Sequence, residues 1–273
     1  MLRFKNIFPH KLPAVIGMVH VKAFPGTPLN KHPVEKIVEA ACAEAETYSK
    51  CNVDAVLVEN MHDLPYCTGP QLGPEVTACM TRVAAEVRRV IPASRPVGVQ
   101  VLAAGNHQAL AVAAAAGLQF IRAECFVYSH VADEGWLDAS AGPLLRYRRH
   151  IGADDVSVWC DVKKKHSSHA VTADLSVGEV ARGAQFFLSD GVIVTGGSTG
   201  EPANPAHIAE VQSSCDLPVL VGSGVTAGNV ASFAAAHGLI VGSEFKEGGR
   251  WDAELSEERI RRFMDAVSAV REH

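Results

Sequence analysis

The 273-residue sequence has no apolar run long enough to cross a bilayer. Its smoothest, Ala109–Leu118, is about half the ~20 residues a spanning helix needs. It also lacks a basic excess: thirty acids face twenty-five Lys and Arg, a formal charge of −5. The clusters Arg146, Arg148, Arg149 and Lys163, Lys164, Lys165 are small and separate, so nucleic acid is not expected as a partner. There is no C-x-x-C pair, and the seven cysteines (Cys42, Cys51, Cys67, Cys79, Cys125, Cys160, Cys215) are odd in number and irregularly spaced. That argues against a disulfide framework or zinc ribbon and for mostly buried thiols in a reducing compartment. No pair of histidines brackets a glutamate at helical i, i+4 spacing, so zinc is not indicated. No secretory apolar run opens the chain. The first acid is Glu35, with Arg3, Lys5 and Lys11 before it, a faint likeness to the mature end of a transit peptide. Cytoplasm is the expected location and the mitochondrion the alternative.

What the chain does have is a normal apolar fraction, 48% hydrophobic against 20% charged, which excludes disorder and supports a large core. Short Val- and Ile-rich runs alternate with longer helical stretches. The predicted strands are Ala14–His20, Ala55–Asn60, Val97–Leu102, Phe120–Glu124, Val156–Lys163, Val192–Thr195, Val219–Gly222 and Leu239–Gly242. They are apolar almost throughout, as strands covered on both faces should be. The predicted helices are Val34–Lys50, Pro74–Arg89, Gln108–Ala116, Pro143–His150, Val177–Leu188, Pro205–Ser214, Gly228–Ala236 and Ser256–Arg271. This α/β pattern fits a (β/α)8 barrel or a doubly wound sheet. The barrel is favoured. No G-x-G-x-x-G follows the first strand, and glycine-rich turns follow the last three, where barrels commonly bind phosphate. With no linker, residues 1–273 read as one domain with a lead-in of about 1–12.

In a barrel the C-terminal strand ends build the site. Those ends present His20 and Lys22; Glu59, Asn60, His62 and Asp63; Gln100; Arg122 and Glu124; Asp161, Lys163, Lys165 and His166; and Thr195. Gly222, Ser223 and Gly224 follow the seventh strand and Gly242 and Ser243 the eighth. Such turns let backbone N–H groups approach an anion. Gly196 and Gly197, with Ser198 and Thr199, would extend the cup. Gly224→Val is expected to abolish anion binding and leave the fold intact.

Asp161, Lys163 and Lys165 alternate, so on a persistent strand they share one face. A desolvated lysine there can form a Schiff base, but Asp161 would favour the ammonium, so the lysines are expected to act as charge partners or an oxyanion clamp. The competing reading, a solvated basic turn, weighs most for Lys164. Glu59 could do acid–base work or, with its acidic neighbours, hold a divalent cation. No other cofactor is indicated. For Asp161, like-charge crowding with Glu59 or Glu124 leads to the expectation that Asp161→Asn leaves stability unchanged or raised while impairing turnover or ligand binding.

Taken together, the strand-end segments resemble the BtpA/SgcQ family. The resemblance rests on Gly17-Met18-Val19-His20 with Pro25-Gly26-Thr27-Pro28, Val58-Glu59-Asn60 with Asp63-Leu64-Pro65-Tyr66, and Val97–Leu102. Asp161-Val162 with Lys165-His166, Val192–Gly196 with Thr199-Gly200, Pro218–Val225, and Ile240–Ser243 with Phe245-Lys246 complete it. Gln100 stands where that pattern has asparagine, and the loop from Cys125 departs from it, with Asp133-Glu134-Gly135 keeping a part. The resemblance implies a TIM-type barrel related to phosphate-binding barrels. It also implies a family named for a membrane-associated factor in photosystem I build-up, with members in organisms without photosynthesis and mitochondrial animal relatives.

The expectation is an enzyme (lyase, isomerase or hydrolase) acting on a small phosphorylated molecule, a phosphosugar or nucleotide-like compound. Glu59 and Asp161 would be acid and base, with His20 and Lys165 orienting or stabilising. Asn60, Asp63, Gln100, Glu124, Lys163, His166 and Thr195 would contact substrate, and Gly196, Gly197, Gly222, Ser223, Gly224, Gly242 and Ser243 would hold phosphate. The alternative is a non-catalytic assembly factor for a membrane protein complex. Peripheral membrane association and a homo-oligomer stay open.

Overall fold

Strands apolar on both sides need cover on both sides, and the chain supplies it by closing on itself. The structure, a computed structural model, describes residues 2–9 and 12–272. Its strands in chain order are β1 (Ala14–His20), β2 (Ala55–Glu59), β3 (Val97–Gln100), β4 (Phe120–Ala123), β5 (His130–Ala132), β6 (Gly135–Leu137), β7 (Ser157–Val162), β8 (Ser167–Ser168), β9 (Gly191–Val194), β10 (Val219–Val221) and β11 (Gly238–Val241). Eight of them form a closed barrel in the order β1-β11-β10-β9-β7-β4-β3-β2, each pair parallel. The α-helices are α1 (Leu2–Ile7), α2 (Val34–Lys50), α3 (Pro74–Val90), α4 (Asn106–Ala116), α5 (Ala141–His150), α6 (Val177–Phe186), α7 (Pro205–Ser214) and α8 (Glu257–Arg271).

The pleat sorts side chains by parity. Val15, Val19, Val56, Val58, Val97, Val99, Ile121, Val158, Val192, Val219 and Leu239 face outward and join the helix-covered core. Ile16, Met18, Leu57, Phe120, Trp159, Ile193, Leu220 and Ile240 fill the interior. Phe120 and Trp159 stack at 4.1 Å, and Gly98 makes room for them, since a Cβ there would stand 2.1 Å from the Phe120 ring. Continuing the inward parity toward the C-terminal ends brings up His20, Glu59, Gln100, Arg122 and Asp161, so the greasy plug gives way to a polar floor. Register aligns part of it: His20 pairs with Glu59, and Glu59 with Gln100.

Three features depart from the expected elements. The lead-in contains helix α1, whose Phe4, with Phe8 just beyond it, packs against Trp159 at centroid distances of 5.5 and 6.2 Å and closes the opposite end of the barrel. The helix expected over Gly228–Ala236 is one 3₁₀ turn, Val230–Phe233, because Asn229 spends its side chain on Thr226 N and Gly224 O. After β4 the chain forms the hairpin β5–β6 around Asp133-Glu134, and β8 from the next loop adds to it. The seven thiols are free, but only Cys51, Cys125 and Cys160 are buried; Cys42, Cys79 and Cys215 are half-buried and Cys67 is exposed.

Candidate functional site

At the C-terminal mouth the polar floor opens into a cavity of about 470 Å³. His20, Glu59, Gln100, Glu124, Asp161, Lys165 and His166 line it, as do Gly222, Ser223, Gly224, Gly242 and Ser243, so most of the expected site residues meet. Leu64, Tyr66, Leu102 and Trp251 supply an apolar wall. The hairpin tip, Asp133 and Glu134, reaches over the mouth, and His166 joins it to the next two loops through Asp133 at 3.9 Å and Thr199 Oγ1 at 2.9 Å.

Arg122 carries no role in the expected site, yet it organises the floor. Its Nε and Nη2 donate to Asp161 at 3.0 and 2.9 Å, both side chains being buried. Gly222 leaves space for this pair, as an added Cβ there would lie 2.7 Å from Ile193 and 3.4 Å from Arg122 Nη2. Inward parity with Phe120 on one strand was the signal for Arg122. A second pair is Lys164 with Glu124, at 3.2 Å and also buried. The strand ends at Val162 and the backbone turns at Lys163 with φ +47°, so the alternation expected of Lys163 and Lys165 breaks. This corrects two expectations: Lys164 enters the cavity, whereas Lys163 leaves it and donates to Thr172 O at 3.3 Å.

The chain also holds several expected contacts away from the cavity. Asp63 accepts from Phe24 N at 2.7 Å, Thr27 Oγ1 at 3.1 Å and Asn60 Nδ2 at 3.0 Å. Asn60 completes its bonding with Leu102 N and O, so this pair braces loops beneath the site. Thr195 Oγ1 accepts from Lys165 N, and Gly196 N donates to Ser223 Oγ at 2.6 Å. Gly196 and Gly197 lie under the backbone and side chain of Glu201 and do not reach the cavity. Gly224→Val is not the clean test expected of it, because a Cβ on Gly224 would stand 2.2 Å from Pro202 N at φ +64°.

The two later turns leave amides unspent: the N–H groups of Ser223, Gly224, Val225, Ser243 and Glu244 find no acceptor among the described residues. Opposite them, the buried Oε1 of Gln100 is also unpartnered. Glu124 would be raised by burial, but Lys164 and the Ala104 amide outweigh that and hold it low. Glu59 has no such partner, and burial pushes it up to about 7 against the pull of Arg122 and Lys165. His20 is driven down to about 3 by burial and Lys246. Its Nδ1 lies 3.0 Å from the Trp251 carbonyl, which only accepts, so the neutral ring carries its proton there and turns Nε2 toward Glu59 at 3.9 Å. Burial and Arg122 lower the Lys165 ammonium despite three nearby acids. Among the described residues no three His, Cys, Asp or Glu side chains group as metal ligands.

The class defined by this architecture is a (β/α)8 barrel with a polar cavity at its C-terminal face. The chain belongs to the BtpA family, whose model matches residues 11–269. A Caenorhabditis elegans protein labelled mitochondrial is 47% identical over 262 residues, 95% of this chain and 94% of its own. The photosystem I biogenesis protein BtpA of Synechocystis is 31% identical, covering 93% of this chain and 88% of its own. Among solved structures, the thiamine phosphate pyrophosphorylase of Pyrococcus furiosus superposes with a TM-score of 0.58 at 12% identity, covering 99% of each chain. The phosphoribosyl anthranilate isomerase of Thermus thermophilus gives 0.57 at 11% identity, over 94% of this chain and 100% of its own. At such identities the likeness is one of fold. No helix among the described residues is long and apolar enough to cross a membrane.

Proposed function

We propose that this protein is an enzyme that binds a small phosphorylated molecule in the barrel mouth and moves protons on it. The observation that carries the reading is the juxtaposition, in one cavity, of unspent amides from two adjacent turns and the buried, unpaired Glu59. Oriented N–H groups suit a phosphate, and a carboxyl poised near 7 serves as acid or base at neutral pH. Arg122–Asp161 and Lys164–Glu124 act as a fixed frame that keeps the floor polar without net charge. Gln100 Oε1 is available to accept from a substrate hydroxyl. Two structural neighbours bear names that contain a phosphorylated compound, thiamine phosphate and phosphoribosyl anthranilate, which agrees with the reading. A factor that only assisted assembly would gain nothing from a buried carboxyl held near 7.

Calorimetry with inorganic phosphate tests it. Wild type should bind, and Ser243→Asp, which sets a carboxylate beside the free amides, should not, with its melting temperature kept. Equal binding by both proteins would place the anion elsewhere and overturn the reading.

A further inference from the structure

Three cations, Arg122, Lys164 and Lys165, line the cavity, and a fourth, Lys246, is buried close enough to act on His20. Three are matched: Arg122 to Asp161 at 2.9 Å, Lys164 to Glu124 at 3.2 Å, and Lys246 to Glu44 at 2.7 Å. Lys165 is the exception. It has no carboxylate within 4.0 Å among the described residues, and its Nζ rests on Thr199 Oγ1 at 3.2 Å. On the cavity floor the carboxyl left over is Glu59, which has the neutral His20 ring at 3.9 Å and no Lys or Arg within 4.0 Å; Asp133 and Glu134 at the hairpin tip are the other cavity carboxyls without one, among the described residues. The cavity therefore holds one amine, Lys165, and one floor carboxyl, Glu59, outside any ion pair with Lys, Arg, Asp or Glu among the described residues, and burial favours the uncharged form of each. On the strand alone, Asp161 should keep a neighbouring lysine charged and so unreactive. Arg122 engages both oxygens of that carboxylate, and burial and the same guanidinium outweigh its pull on Lys165.

We propose that Lys165 is a nucleophile that condenses with the carbonyl group of a phosphorylated aldehyde or ketone to form an imine. This rests on the reading of the cavity as an enzyme site and specifies its substrate class. The neutral amine attacks the carbonyl carbon, a C–N bond forms, and one proton passes from nitrogen to the carbonyl oxygen, giving a carbinolamine. Protonated Glu59 then gives its proton to that hydroxyl, which leaves as water while the nitrogen lone pair closes the C=N bond. The products are a protonated imine, water and the Glu59 carboxylate. The new cation acquires in Glu59 the counter-ion that Lys165 lacked. The same carboxylate becomes the base for the carbon acid that the imine activates.

Borohydride trapping, with the adduct located by peptide mass spectrometry, tests this on the full chain. The probes are glyceraldehyde 3-phosphate and glyceraldehyde, with exposed Lys36 and neighbouring Lys163 as internal references. The phosphorylated probe should mark Lys165 about tenfold or more faster than either reference, because the cavity positions the two reactants. Inorganic phosphate should slow that labelling, and Glu59→Gln should slow it too. Labelling of Lys165 no faster than Lys36, in protein that still binds inorganic phosphate, would overturn the imine and leave the proposed function standing. Equal, rapid labelling of Lys165 by both probes, in protein without phosphate binding, would uphold the amine and overturn the phosphate seat.

Discussion

Arg122 and Asp161 meet through two parallel hydrogen bonds of 3.0 and 2.9 Å, and both are buried in the cavity floor. The expectation drawn from the strand alone was that Asp161 stood among repelling acids. A carboxylate gripped on both oxygens by a guanidinium is instead a compensated charge, and its removal strands the partner.

Asp161→Asn should therefore destabilise the protein, by about 3–5 kcal/mol, because Arg122 is left buried without a counter-ion. Replacing both residues by apolar ones of similar volume should cost less than either single change. Urea melts of the three variants check this, and an unchanged midpoint for Asp161→Asn would restore the crowding argument.

The two lysines that follow should behave oppositely. Lys164→Met leaves Glu124 buried and unpaired and should cost about 3 kcal/mol or more. Lys163→Met loses one bond to a carbonyl at the protein's edge and should stay within about 1 kcal/mol. Thermal melts of the pair decide whether the turn at Lys163 directs its neighbour inward.

Glu59 makes stability depend on pH in a defined direction. Its folded value of about 7 lies above the ordinary 4.5, so the unfolded chain releases this proton first as pH rises. Stability is therefore lost between pH 4.5 and about 7, by roughly 3 kcal/mol for a gap of about 2.5 at 1.36 kcal/mol each. Glu59→Gln, which mimics the protonated form, should be more stable than wild type at pH 8 and nearly equal to it at pH 4.5. Denaturant melts at both values check the sign.

His20 works from the acid side. Its folded value of about 3 lies below the ordinary 6.5, so acidification protonates the unfolded chain first and stability falls from pH 6.5 downward. His20→Gln should flatten that loss, read from melts at pH 7 and 5. A variant as acid-sensitive as wild type would show that the ring protonates in place.

Gly98→Ala should disturb the plug and spare the cavity. The new methyl meets the Phe120 ring from 2.1 Å, and such overpacking costs about 1–3 kcal/mol. Phosphate affinity measured below the melting transition should be unchanged, since the plug lies beneath the polar floor.

The sequence by itself determined the barrel. Eight apolar strands between helices can cover both faces only in a few ways, and the turns after the last strands selected the closed one. It also located the cavity, because polar residues at the ends of apolar strands have nowhere to go but the mouth: His20, Glu59, Gln100, Glu124 and Asp161 all line it. Partnership was beyond it. Whether Asp161 meets Lys163, Lys165 or Arg122 depends on a contact between β4 and β7, 39 residues apart in the chain, and on the turn at Lys163. Asn60, Asp63, Gly196 and Gly197 read as ligand contacts because of what they are; tertiary hydrogen bonds and loop packing turned them to bracing. The hairpin over the mouth escaped notice because strands of three residues carry too little periodicity to register. Which charges of the cavity are left unpaired is decided by contacts between strands distant in the chain, and only the closed barrel settles that pairing.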